Sequence, residues 1–220
     1  MQLLEEMERI ISTSKAERLF IVLHCYGSHF SYHQRYPREF AHFRPDDDVA
    51  INPEHKEMLL NAYDNSIRYT DYFLSRTIGY LDSLDANVAM LYCSDHGEDI
   101  LDDERGRFLH ASPTTTAYQI YVASLGWFSD EYRRNFPDKV AAAEHNENAP
   151  ATTHALFHTM ADMASISSEY IDHTVSFVSP EFDWKAQRFY LNDHNEARPY
   201  PKTGLTEQDL QVLERYGVRF

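Results

Sequence analysis

The chain has 220 residues, 43% hydrophobic and 25% charged, which predicts a folded protein with a sizeable core and one domain by default. Its formal charge is −15, from 20 basic and 35 acidic side chains with no Lys/Arg-rich run, which excludes nucleic acid as a partner and gives no attraction to anionic lipid. No stretch reaches the ~20 apolar residues of a membrane span, and Met1 leads into an acidic segment without a basic n-region, so a soluble chain without signal or span is expected.

Leu3, Leu4, Met7, Ile10 and Ile11 recur at helical spacing and predict an amphipathic helix over 3–12. It starts with no room for a cap, as if the chain began inside a larger unit. LFIVLHCYG (19–27) reads as a strand buried on both faces, of the kind found in parallel sheets. Residues 29–48 are aromatic and proline-marked and form a long loop, of a length that is usually functional or disordered. Asn52-Pro53-Glu54 opens the longest helix, which keeps phase to about Leu84.

NVAMLYCSD (87–95) is a second strand, 95–113 a second long loop, and AYQIYVASLGWFS (117–129) a third strand. Asp130 caps a short helix, 137–150 is loop-like, and 152–166 is a helix capped by Thr152 or Thr153. Beyond residue 167 the strand-like pieces are short, with Pro180, Pro199 and Pro201 as punctuation. A final helix over 206–217 has Thr206 as cap, Asp209 at its third position and Gly217 as stop. The alternation gives an α/β fold, a largely parallel sheet flanked by helices. Cys25 and Cys93 sit in apolar runs and read as free core cysteines.

Ligand sites in parallel sheets collect at the carboxyl ends of strands. His24 and His29 follow the first strand, Asp95-His96 follow the second, and His110 ends the second loop. A carboxylate and an imidazole at adjacent positions point the same way only at a turn, and Gly97 supplies one. Asp oxygen and His nitrogen are both zinc donors, and Glu98 is placed to orient a ligand from behind. The alternative is an exposed turn in which Asp95 caps and His96 is incidental. His154 and His158, four apart on a helix, read as packing residues because Leu156, Phe157 and Met160 surround them. Asp193-His194 and the run Asp46-Asp47-Asp48 read as polar, solvated loops.

YCSDHGEDILDDERGRFLHASP resembles the signature of the lipid A phosphoethanolamine transferases, members of the alkaline phosphatase/sulfatase superfamily. LHCYGSHFSYHQRYPREFAHFRPD is similar to the same family's His-bearing loop, and NAYDNSIRYTDYFLSRTIGYL and THALFHTM resemble two of its helices. The four blocks occur in family order between about residues 23 and 160.

The resemblance implies an alkaline phosphatase/sulfatase-like fold, incomplete in this chain, with residues 1–166 as the C-terminal half of the catalytic domain; the change of character beyond it makes 167–220 an expected C-terminal extension packed on the same domain. It implies Zn2+ as cofactor, Asp95 and His96 as its ligands, His29 and His110 as catalytic groups at the phosphoryl group or a second zinc, and Glu98 in a supporting role. His24 is not implied as a ligand. It implies transfer of phosphoethanolamine from a phosphatidylethanolamine donor to a lipid A-type acceptor at the periplasmic face of the inner membrane. The family's Thr nucleophile, which would carry the phospho-threonine, has no match in this chain; Thr114-Thr115-Thr116 is placed wrongly for it. A sulfatase or phosphodiesterase of the same superfamily is the alternative. An inactive piece that binds metal or a partner is the third reading, with no turnover expected from the isolated chain and exposed sheet edges favouring self-association.

Overall fold

The computed structural model describes residues 1–47, 50–110, 114–191, 194–200 and 204–218. Asp48, Asp193 and Pro201, named above, lie outside the described residues. The chain divides into two compact units: residues 1–85 with 100–106, and 86–99 with 107–220.

In the first unit, helix α1 (Gln2–Thr13) buries Leu4 and Met7, the face that the spacing of its apolar residues dictates. The Tyr80 hydroxyl of α2 donates to Glu8 O of α1 at 3.3 Å. A single 3-10 turn (Pro53–His55), capped by the Asn52 side chain, leads into α2 (Lys56–Asp82), the long helix expected from the sequence. Its Leu59, Ala62 and Leu81 are buried, and Tyr63 meets the buried Tyr32 edge to face at 5.1 Å.

The long loop is fastened to this helix by Asn65, which is fully buried. Its side-chain oxygen accepts the amides of His42 and Phe43 at 2.8 and 2.9 Å, and its nitrogen donates to Phe43 O and Asp46. Asp46 also accepts from the Tyr36 hydroxyl at 2.7 Å. It is therefore a paired group and not the solvated loop acid that the run suggested. Burial, first, and this contact push the Tyr36 hydroxyl up to about 12.

The run 19–27 departs from expectation. It belongs to no helix or strand among the described residues, and Phe20, Val22 and Tyr26 are 74%, 72% and 76% exposed. Apolar composition favours a strand, but a strand exists only where a neighbour takes its backbone hydrogen bonds. Cys25, read as a core residue, is exposed.

In the second unit, β1 (Ala89–Cys93) pairs antiparallel with β4 (Ser124–Phe128), Leu91 opposite Gly126. The short strands β2 (Asp99–Ile100) and β3 (Phe108–Leu109) lie in the loop between them. The third expected strand starts later than its sequence suggests, because Ala117–Ile120 winds into a helical turn, α3, whose cap Thr116 accepts the Gln119 amide. Phe128, Tyr132, Val140, Met163 and Val178 form the core.

Three local expectations shift. Ser129, not Asp130, caps α4 (Asp130–Asn135). Residues Pro137–Asn146, expected as loop, form α5, where proline at the first turn and an alanine run outweigh the polar flanks. Helix α6 (Ala155–Met163) lacks a side-chain cap, so neither Thr152 nor Thr153 plays that part. The last part holds an antiparallel hairpin, β5 (Arg188–Leu191) with β6 (Ala197–Tyr200), and α7 (Glu207–Arg215), which carries the expected capping box of Thr206 and Asp209.

Candidate metal centre

The turn that leaves β1 is built from four backbone constraints. Ser94 N–H donates to Ala123 O at 3.0 Å and extends the β1–β4 ladder by one residue. The Ser94 hydroxyl then donates to His96 O at 2.7 Å. His96 N–H donates to Asp95 Oδ1, and Gly97 N–H donates to Gln119 O at 2.7 Å. Gly97 is required for space and not for a left-handed backbone: a Cβ there would lie 2.0 Å from Tyr118 O and 2.9 Å from Tyr121 O. The sequence pointed to this glycine for the wrong reason.

The turn brings His96, Glu98 and His110 together, with one donor atom from each within 4.8 Å of the others. His96 Nδ1 lies 2.9 Å from Gly97 O. A carbonyl only accepts, so Nδ1 carries the proton and Nε2 offers its lone pair, the tautomer a metal ligand needs. Asp95 Oδ2 stands 3.8 Å from that Nε2, on a side chain 87% exposed. Two ligands of a tetrahedral zinc ion are ~3.3 Å apart, so this pair fits one ion with a small adjustment.

Glu98 is the opposite of Asp95: its side chain is only 6% exposed, and Oε1 meets His110 Nδ1 at 2.5 Å and His96 Nδ1 at 3.6 Å. The carboxylate accepts from His110 Nδ1, which leaves His110 Nε2 with its lone pair. The two imidazoles lie 3.6 Å apart between centroids. The donor set thus suits a divalent ion that accepts oxygen and nitrogen, with Glu98 fixing the rings from behind or joining them as a ligand.

His29 belongs to the first unit, where its Nδ1 meets Phe30 O at 2.6 Å and its own carbonyl accepts from Arg35. The proton of its neutral ring therefore sits on Nδ1, the same tautomer as in His96. His24 is exposed and forms no part of the described cluster. The Thr116 hydroxyl donates to the buried Asp99 at 3.0 Å, an occupation that fits a structural threonine. His158 is buried and its Nδ1 accepts the Asp172 amide at 3.0 Å, which fits the packing role read from its neighbours. Burial, and then the nearby His154, hold its imidazole below the usual range.

The sequence did not show that Asp99 and Asp209 are buried, nor that Asp99 bonds Thr116 and Gln119 and Asp209 the Ala117 amide. Thr116 followed by Gln119 is a cap signature that could have flagged α3.

A sequence model of the family described as Sulfatase matches residues 1–166. The chain is 35% identical over 151 residues to the Kdo(2)-lipid A phosphoethanolamine 7''-transferase of Escherichia coli (strain K12), covering 68% of this chain and 26% of that protein. The C-terminal periplasmic domain of EcEptC from Escherichia coli superposes with a TM-score of 0.77 at 24% identity, over 93% of this chain and 58% of that one. That domain has also been solved in complex with Zn. The soluble domain of lipooligosaccharide phosphoethanolamine transferase A from Neisseria meningitidis gives a TM-score of 0.73 at 26% identity, over 80% of this chain and 54% of that one. The chain spans about a quarter (26%) of the length of the E. coli transferase it matches.

Proposed function

The chain belongs to the sulfatase family, and from that premise we propose that it forms the C-terminal part of a zinc-dependent phosphoethanolamine transferase acting on lipid A or a related surface glycan at the periplasmic face of the inner membrane. The observation that carries the reading is the pairing of Asp95 Oδ2 with His96 Nε2 at 3.8 Å, on a turn beside which the largely buried Glu98 side chain holds His110.

Zinc bound at Asp95 and His96 would polarise a phosphoryl oxygen and lower the pKa of an attacking hydroxyl. The remaining chemistry falls to side chains. A threonine hydroxyl supplied from outside this chain attacks phosphorus; the Thr O–P bond forms and the P–O bond to the diacylglycerol breaks. His110, steadied by Glu98, presents Nε2 as the base or acid that moves the proton between these oxygens. For His29 the family resemblance supports contact with the phosphoryl group. The acceptor oxygen of lipid A then attacks phosphorus and the Thr O–P bond breaks.

The test is an assay of the intact gene product with phosphatidylethanolamine vesicles, with and without lipid A. Acceptor-dependent transfer that is lost in Asp95→Ala and His96→Ala is the expected result. Release of phosphoethanolamine to water, independent of lipid A, would identify a hydrolase. Zn2+ titration of the 220-residue chain is the companion measurement, and unchanged affinity in both variants would remove Asp95 and His96 as ligands.

A further inference from the structure

Helix α7 lies beyond the residues that the family model matches, which end at 166. It nevertheless reaches the segment on which the site turn rests. Asp209 is fully buried, and its Oδ1 accepts the Ala117 amide at 3.0 Å. Its Oδ2 accepts from the Thr206 amide and hydroxyl at 2.9 and 2.7 Å. Val212 and Leu213 of the same helix bury Ala117 with them, and Tyr216 stacks on Tyr121 at 5.0 Å.

Residues 116–121 are in turn the bed of the turn. Gln119 O accepts the Gly97 amide, the Gln119 side chain donates to Asp99 at 2.5 Å, and Tyr118 O occupies the space where a Gly97 side chain would stand. The Gly97 carbonyl then receives His96 Nδ1. An unbroken path of hydrogen bonds and backbone thus runs from Asp209 to the imidazole.

We propose that Asp209 is a positioning residue for the metal centre, and that α7 is recruited to hold residues 116–121 at the height that aims His96 Nε2. The inference rests on the reading of Asp95 and His96 as metal ligands. A buried carboxylate is costly unless it is fully bonded, and a capping box on a solvent-facing helix needs no burial. Its second oxygen, turned onto Ala117 across 92 residues of sequence, is what the capping role leaves unexplained.

The experiment compares the chain with Asp209→Asn, Thr206→Val and, as a core truncation elsewhere in the same unit, Val140→Ala. Three quantities are read: thermal stability, Zn2+ affinity by competition with a chelating dye, and Gly97 amide exchange together with the His96 imidazole resonances by NMR. Asp209→Asn is expected to weaken Zn2+ binding about tenfold, in the range for groups that orient ligands, to speed Gly97 exchange and to shift His96. Thr206→Val is expected to move the same signals less, and Val140→Ala to lower stability alone. A loss of stability in Asp209→Asn with Zn2+ affinity, Gly97 and His96 unchanged would overturn the proposal, as would invariance in Thr206→Val if Asp209→Asn does not fold. If the unaltered chain takes no Zn2+, the metal reading fails, and the Gly97 and His96 signals still decide whether Asp209 positions the turn.

Discussion

Two apolar runs of similar length and composition, FIVLHCYG in the first unit and VAMLYCSDHG in the second, meet different fates. Ala89–Cys93 becomes β1, pairs residue by residue with β4, and delivers a shaped turn at its end. The earlier run forms no strand, and its Phe20, Val22 and Tyr26 lie in solvent. The difference lies in the partner and not in the letters: β1 has backbone groups to bond on β4, and hydrophobic residues on a strand are stabilised only by what covers them.

The comparison can be broken most severely at Gly97. Gly97→Ala places a methyl group 2.0 Å from a backbone oxygen, and neither neighbour is a flexible side-chain end. The expected loss is ~3–5 kcal/mol with loss of Zn2+ binding, read by urea denaturation and metal titration. Next is the strand pair itself. Phe128→Ala empties a core position of β4 and is expected to cost ~3–4 kcal/mol, checked by thermal unfolding at fixed pH.

Acid probes the second unit more gently. The His158 pKa is lower folded than unfolded, so the unfolded chain binds more protons as pH falls past about 6.5. Stability contributed by neutral His158 is present above that pH and is lost below it. His158→Gln should flatten the fall in stability that sets in below about pH 6.5, a change followed by circular dichroism; an unaltered slope would remove His158 as the cause. Asp162 adds a later loss. Burial raises its pKa, but bonds from Lys139, Ser176 and His173 prevail and hold it low, so its share disappears only below the usual carboxylate range.

The smallest effect is expected in the first run. Phe20→Ala should change stability by no more than ~0.5 kcal/mol, because the ring is already in water. The same exposure of Phe20, Val22 and Tyr26 predicts concentration-dependent association that Phe20→Ser reduces, measured by sedimentation velocity.

What the sequence made legible was local. The long helix declared itself through Asn52-Pro53 and sustained periodicity, α7 through its capping box, and the proximity of His96 and Glu98 through the Asp-His-Gly-Glu run that carries them. What was hidden depends on partners distant in the chain. Asp46 looked solvated because nothing near it in sequence announces Tyr36 or Asn65. Asp209 looked like a cap and no more, because Ala117 is remote. The run at 19–27 looked like a strand because its composition says nothing about who stands beside it.

Asn65 has a consequence for how the first unit breathes. Its amide spends both ends on the peptide groups around residue 43 from the middle of a 27-residue helix. That stretch of the aromatic loop therefore has no hinge of its own. It is released when the rod beneath it unwinds, so its amides should exchange with solvent in step with those of the helix, and a protease should find a cut site there only as often as the helix melts.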